Sequence, residues 1–125
     1  MLENISPYVY PGMKNTEEYK KIRRFKRDRI SKEEILSIVA KNCCVTTSEI
    51  LSRIRKREVI DARFMYIAVL KNEFGHTLEH IGEILGRDHT TIMHALQTYR
   101  ERYHQYDDYR EVADGIFQEI KLKVE

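Results

Sequence analysis

The sequence predicts an all-α fold, a compact multi-helix domain with a helix-turn-helix, preceded by a basic N-terminal helix. Three observations predict it. Apolar residues recur at helical spacing in segment after segment, while no segment alternates as a strand for more than two or three residues. Helix-start signals of the Ser/Thr-x-x-Glu kind precede those segments. Finally, the stretch TLEHIGEILGRDHTTIMHALQTY, residues 77–99, divides at Gly86-Arg87-Asp88 into two short amphipathic patterns, a helix, a turn and a helix.

The elements follow in order. Residues 1–15 hold both prolines, Pro7 and Pro11, and form an irregular arm. Residues 16–29 carry Tyr19, Ile22 and Phe25 at a spacing of three among basic residues, so residues 1–30 are expected to be an arm plus a basic connector helix. That helix either docks on the domain or touches a polyanion. The domain proper is expected over residues 31–125. Ser31 and Glu34 form a capping box, and Ile35, Ile38 and Val39 give the following helix its buried face as far as Asn42. Thr46 and Glu49 repeat the signal for a short helix bearing Ile50, Leu51 and Ile54.

From Glu58 to Phe74 the apolar residues cover most of a helix circumference, which is the mark of a central helix. Gly75 ends it and Thr77 caps the next, whose Leu78, Ile81 and Leu85 share a face. Gly86 suits a left-handed position past that helix, and Asp88 suits the N-cap of its successor. The successor turns Ile92, Leu96, Tyr99 and Tyr103 inward and leaves Thr90, His94 and Gln97 opposite, with His89 and Thr91 flanking. A last helix, about residues 109–122, packs Val112, Ile116 and Phe117 as a lid.

Composition narrows the function. The chain is 42% hydrophobic and 34% charged, typical of a folded helical domain. Without a run near the ~18 apolar residues of a membrane span, or a signal-peptide core, no membrane association is expected and the cytoplasm is the expected location. Net charge is only +2, but Lys20 to Lys32 holds eight bases against one acid, and Arg53-Ile54-Arg55-Lys56-Arg57 forms a second basic cluster. From Glu101 onward seven acids face four bases. A chain so polarised offers one positive surface to a polyanion.

Catalytic candidates fail in turn. None of the five glycines begins a phosphate-cradling loop, so no ATP binding, and no cofactor of any kind, is expected. His76 and His80 straddle a helix start and lack a third ligand by spacing, while Cys43 and Cys44 are adjacent and read as reduced thiols. Asp107 and Asp108 fit a helix start better than a catalytic pair. The protein is therefore not expected to be an enzyme or to hold a metal. Binding chemistry fits better: threonine offers a methyl and a hydroxyl to base edges, Asp accepts from cytosine, and arginine suits a narrow A·T minor groove.

At Gly86-Arg87-Asp88-His89-Thr90-Thr91-Ile92-Met93-His94-Ala95 the sequence resembles the signature of the C-terminal DNA-binding domain of the DnaA family of bacterial replication initiators. The likeness runs from about Ser31 to Phe117 and includes Ile50 to Arg53, Asp61 to Ala68 and Leu78 to Gly82. It departs at Glu79, where the family often has proline, at Phe64, where glutamine is frequent, and at Leu85-Gly86, where the family often has a second glycine before the Arg-Asp-His run. The resemblance implies Arg55 in the minor groove of an asymmetric DnaA box, Asp88, His89 and Thr90 reading the major groove, and Arg63, Thr91 and His94 near the backbone. With Lys56, Arg57 and Arg87 these complete the expected DNA-binding set. The expected partner is double-stranded DNA, met by a monomer at a DnaA-box-like site, in replication initiation or its regulation, with a replication protein as a further possible partner. The alternative is a protein-interaction module, or a stand-alone transcriptional regulator, using the same fold.

Overall fold

A computed structural model of the chain describes residues 29–124. The arm and nearly all of the basic helix expected over residues 1–30 lie outside the described residues. Those described form six α-helices and one π-helical turn, without a strand among them. They are α1 (Lys32–Cys43), α2 (Thr47–Leu51), α3 (Arg57–Ala68) running into the π turn (Val69–Glu73), α4 (Leu78–Leu85), α5 (His89–Gln105) and α6 (Asp107–Val124).

Local chemistry sets the boundaries. Ser31 and Glu34 form the capping box of α1, and Thr46 and Glu49 that of α2, each with side chain and backbone bonded reciprocally. Thr77 caps α4 through the His80 N–H at 3.0 Å. α1 ends in the left-handed Cys44 and α4 in the left-handed Gly86. Two boundaries differ from the sequence expectation. The second helix stops at Leu51, leaving Ile54 exposed in the following loop, because the Ser52 hydroxyl bonds the Glu49 carbonyl at 2.6 Å and closes the turn. The lid helix is longer than expected, since Asp107 and Asp108 form its first turn and Ile120 and Val124 continue its buried face.

α3 is the central helix. It packs against α1, α2 and α5, while α6 closes over α1 and α5, and α4 rests on α5 and the π turn. Val59, Ala62, Met65, Tyr66, Ile67 and Ala68 are all buried, and the wider π turn keeps Val69, Leu70, Glu73 and Phe74 buried as the chain comes round. Gly75, at φ 69°, then turns the chain out toward α4. Helix α5 is fixed to this core by Ile92, Ala95, Tyr99 and Tyr103, each fully buried large side chain contributing roughly 1.5–3 kcal/mol. The burial of one face dictates the exposure of the other.

Candidate nucleic-acid interface

The helix-turn-helix is α4, Gly86-Arg87-Asp88, and α5. Its turn is tight. The Arg87 N–H bonds the Gly82 carbonyl at 2.8 Å, and a β-carbon added at Gly82 would stand 2.3 Å from the Arg87 carbonyl oxygen. Only glycine at position 82 allows α4 and the turn to approach so closely. Asp88 then starts α5, its Oδ1 accepting the Thr91 N–H at 2.8 Å. That backbone bond, reinforced by the Thr91 side chain, holds the Asp88 carboxyl below its ordinary value, so the cap is ionised at neutral pH.

The outer face of α5 carries His89, Thr90, Thr91, Met93, His94 and Gln97, all exposed. Five residues of the expected set, Asp88, His89, Thr90, Thr91 and His94, thus lie together on the first two turns. A helix presenting its N-terminal turns this way has the shape of a major-groove reader.

Beside it runs the basic loop, residues 52–56, tied to the turn from both sides. Arg53 Nη2 donates to the Gly86 carbonyl at 3.1 Å, and Arg87 Nη2 donates back to the Ser52 carbonyl at 3.3 Å. Arg53, absent from the expected set, therefore fixes the loop against the helix-turn-helix. Its basic neighbours hid it in the sequence.

Arg63 occupies an unforeseen position for a charged residue. It is buried, with Nε donating to the Ile50 carbonyl at 2.8 Å and Nη2 near the carbonyls of Glu49, Ser52 and Ile54 at 3.0, 2.8 and 3.1 Å. Its guanidinium braces the loop from beneath. Burial and the nearby Arg87 charge push the Arg63 pKa down from its ordinary value, and burial and Arg53 do the same to Arg87. Three cations are thus held close together by backbone carbonyls.

Between loop and helix lies a groove of about 360 Å³ lined by Arg53, Arg55, Arg63, Phe64, Arg87 and Thr91, with no carboxylate among its lining residues. Arg55 and Lys56 are exposed on the loop. Arg57 is separated from them. It pairs with Asp61 at 3.5 Å and lines a different cavity with Cys43 and Tyr109. Asp61 also holds Arg102 at 2.5 Å, and the Arg102 guanidinium lies 5.5 Å from the centre of the Phe64 ring.

The other sequence candidates do not line this groove. The His76 and His80 rings are 5.0 Å apart, and His80 faces Glu83 at 3.6 Å. Among the described residues no group of three or more His, Cys, Asp or Glu is placed to hold a metal ion. Cys43 and Cys44 are free thiols, and burial pushes Cys43 up to about 12. Asp107 pairs with Arg110 on the first turn of α6. No helix among the described residues is long and apolar enough to cross a membrane.

Comparison with known proteins agrees with this geometry. A family model described as the bacterial dnaA protein helix-turn-helix matches residues 32–98, which contain α1 through the outer face of α5. The chain is 45% identical over 65 residues to the chromosomal replication initiator protein DnaA of Ureaplasma parvum, covering 51% of this chain and 14% of that protein. It is 32% identical over 98 residues to the DnaA proteins of Chloroflexus aggregans and Chloroflexus aurantiacus, covering 78% of this chain and 20% of each. The chain therefore spans a fifth or less of the length of these relatives. With more than half its residues matched and the helix-turn-helix in place, the chain belongs to the bacterial DnaA helix-turn-helix family.

Proposed function

We propose that residues 31–125 bind double-stranded DNA selectively at DnaA-box-like sites, with residues 1–30 as a basic connector. Helix α5 enters the major groove, where Asp88, His89 and Thr90 meet base edges and Thr91 and His94 lie toward the backbone. Loop 52–56 follows the adjacent strand, with Arg55 at the minor groove and Lys56 over phosphate. The observation that carries this reading is the reciprocal bonding of Arg53 to Gly86 and Arg87 to Ser52, which sets an arginine-lined loop beside the N-terminal turns of α5. One rigid surface then spans two grooves. Phosphate neutralisation supplies affinity, and base edges supply selectivity. A single α5 per chain suits one copy on an asymmetric site, in replication initiation or its regulation.

A second reading, a protein-interaction module of the same fold, is favoured by Glu79. This exposed acid stands in the first turn of α4, close in sequence to the proposed surface. Selection of bound duplexes from a random pool separates the readings. Enrichment of one asymmetric motif supports DNA recognition, and no enrichment at low salt transfers the surface to a protein partner.

A further inference from the structure

A second cavity, of about 370 Å³, opens where the end of α1 meets the starts of α3 and α6. It shares no lining residue with the groove between the loop and α5. Part of its wall is apolar and polarisable: Met65 is buried, Val112 half-buried, and Cys43 Sγ lies 3.7 Å from Met65 Sδ. Glu58, Asp108 and the Tyr106 ring line it from exposed positions, and half-buried Asp61 adds a third carboxylate against one cation, Arg57.

Two groups in this wall have bonding capacity to spare. Tyr109 is 7% exposed, and its hydroxyl oxygen is buried without a hydrogen-bond partner among the described residues. Three of the four groups whose charges act on that hydroxyl, Asp61, Cys43 and Arg57, line the cavity, so the hydroxyl is turned toward it. A buried hydroxyl left unpaired costs the fold stability, which a ligand atom would restore. At Asp61, Oδ1 is taken by Arg102 at 2.5 Å, but Oδ2 is reached by Arg57 at 3.5 Å from a side chain that is 69% exposed. Oδ2 is therefore open to a closer donor.

We propose that this cavity binds a small organic cation, a primary amine on an apolar body, whose ammonium donates to the Tyr109 hydroxyl and to Asp61 Oδ2 while its body lies on Cys43, Met65 and Val112. An ammonium carries donors only, and a tyrosine oxygen and a carboxylate both accept. Glu58 and Asp108 raise the local concentration of cations, and the Tyr106 ring face attracts them further. The volume falls within the range of about 300–1,000 Å³ usual for small-molecule sites. An anion of the same shape meets three carboxylates, and a neutral alcohol meets the hydroxyl without gaining from the charges.

The test uses the full chain with phenethylamine as probe, and phenylpropionate and phenethyl alcohol as anionic and neutral counterparts. Millimolar phenethylamine is expected to give saturable shifts in the backbone amides of Cys43, Met65 and Val112, with phenylpropionate about tenfold weaker. Tyr109→Phe removes the hydroxyl alone and should weaken amine binding about fivefold, the worth of one hydrogen bond, with the melting temperature unchanged or raised. Glu58→Gln combined with Asp108→Asn should bring amine and alcohol closer in affinity. The proposal is overturned if phenethylamine gives no saturable shifts, if phenylpropionate binds as tightly, if Tyr109→Phe keeps wild-type affinity, or if the paired amide substitutions leave the ratio of amine to alcohol unchanged. A fall in the melting temperature of Tyr109→Phe would place the hydroxyl in a bond within the fold and overturn it too. No arm uses a duplex, so the outcome is independent of the DNA reading.

Discussion

Arg63 and Arg87 share one acceptor, the carbonyl of Ser52, at 2.8 and 3.3 Å. Arg63 reaches it from the central helix and Arg87 from the turn before α5. The loop that joins α2 to α3 is thus pinned between the central helix and the turn before α5, and two cations stand together where their mutual repulsion must be offset by backbone dipoles. Charge-assisted bonds to carbonyls stabilise such a cluster more than neutral bonds would.

Arg63→Met keeps much of the side-chain length but leaves four carbonyls, those of Glu49, Ile50, Ser52 and Ile54, without this donor. Bonds to a charged group are worth about 1.5–3 kcal/mol, and they do not add fully when one group makes several, so a loss of about 3 kcal/mol is expected in urea unfolding. Amide exchange across residues 52–56 should accelerate. Arg55→Met, on an exposed side chain, serves as the control and should change stability by less than about 0.5 kcal/mol. Equal stabilities for the two variants would refute the bracing role.

Gly82→Ala and Gly115→Ala are expected to move stability in opposite directions. At Gly82 the new methyl would meet the Arg87 backbone at 2.3 Å, so the helix-turn-helix must open, at about 1–3 kcal/mol. At exposed Gly115, inside α6, the nearest atom is Asn42 Oδ1 at 3.9 Å, and alanine should stabilise by about 0.5–1 kcal/mol. Paired thermal denaturation curves check the sign at each site.

Gly86 and Gly82 also mark where the sequence was legible and where it was not. Helix starts were readable because Ser31, Thr46, Thr77 and Asp88 each satisfy the N–H three residues ahead. Gly86 was readable because a left-handed position after a helix favours glycine. The crowding at Gly82 was not, since it depends on a turn that folds back onto α4. Arg63 was hidden for a related reason: a charged residue is ordinarily solvated, and its carbonyl partners lie 9 to 14 residues upstream, brought within reach only by the loop. Of the expected reading set, the α5 residues were legible from helix phase, whereas the separation of Arg57 from Arg55 turns on Asp61, one turn into α3.

Acid should weaken the cap of α5 in a defined direction. The folded Asp88 carboxyl sits below its ordinary value of 3.8 because the charged form accepts from Thr91. A depressed folded pKa means that the stabilisation is complete above the ordinary carboxylate range and is lost as pH falls through the folded value. Asp88→Asn keeps an N-cap acceptor without the charge. The difference in melting temperature between wild type and Asp88→Asn should therefore shift against wild type as pH falls from 5 to below about 4. A difference that stays constant to pH 2 would show that the Thr91 bonds do not discriminate between the two protonation states.

The last prediction separates reading from gripping. Thr90 and His89 lie on the exposed first turn of α5, whereas Lys56 lies on the loop, exposed and without a side-chain cap bond. Removing a base contact should cost about 1–3 kcal/mol on the selected duplex and little on random DNA, so the specificity ratio falls. Removing a phosphate contact should weaken all duplexes alike and reduce the salt slope by about one. Thr90→Ala and His89→Ala are expected to show the first pattern and Lys56→Ala the second. Arg55→Ala should show both, because a narrow A·T minor groove attracts arginine through its shape as well as its charge. Competition titrations of selected against random duplex at two salt concentrations measure both quantities at once. If Thr90→Ala and Lys56→Ala weaken the two duplexes by the same factor, α5 does not read bases, and the surface it shares with the loop is a protein-binding one.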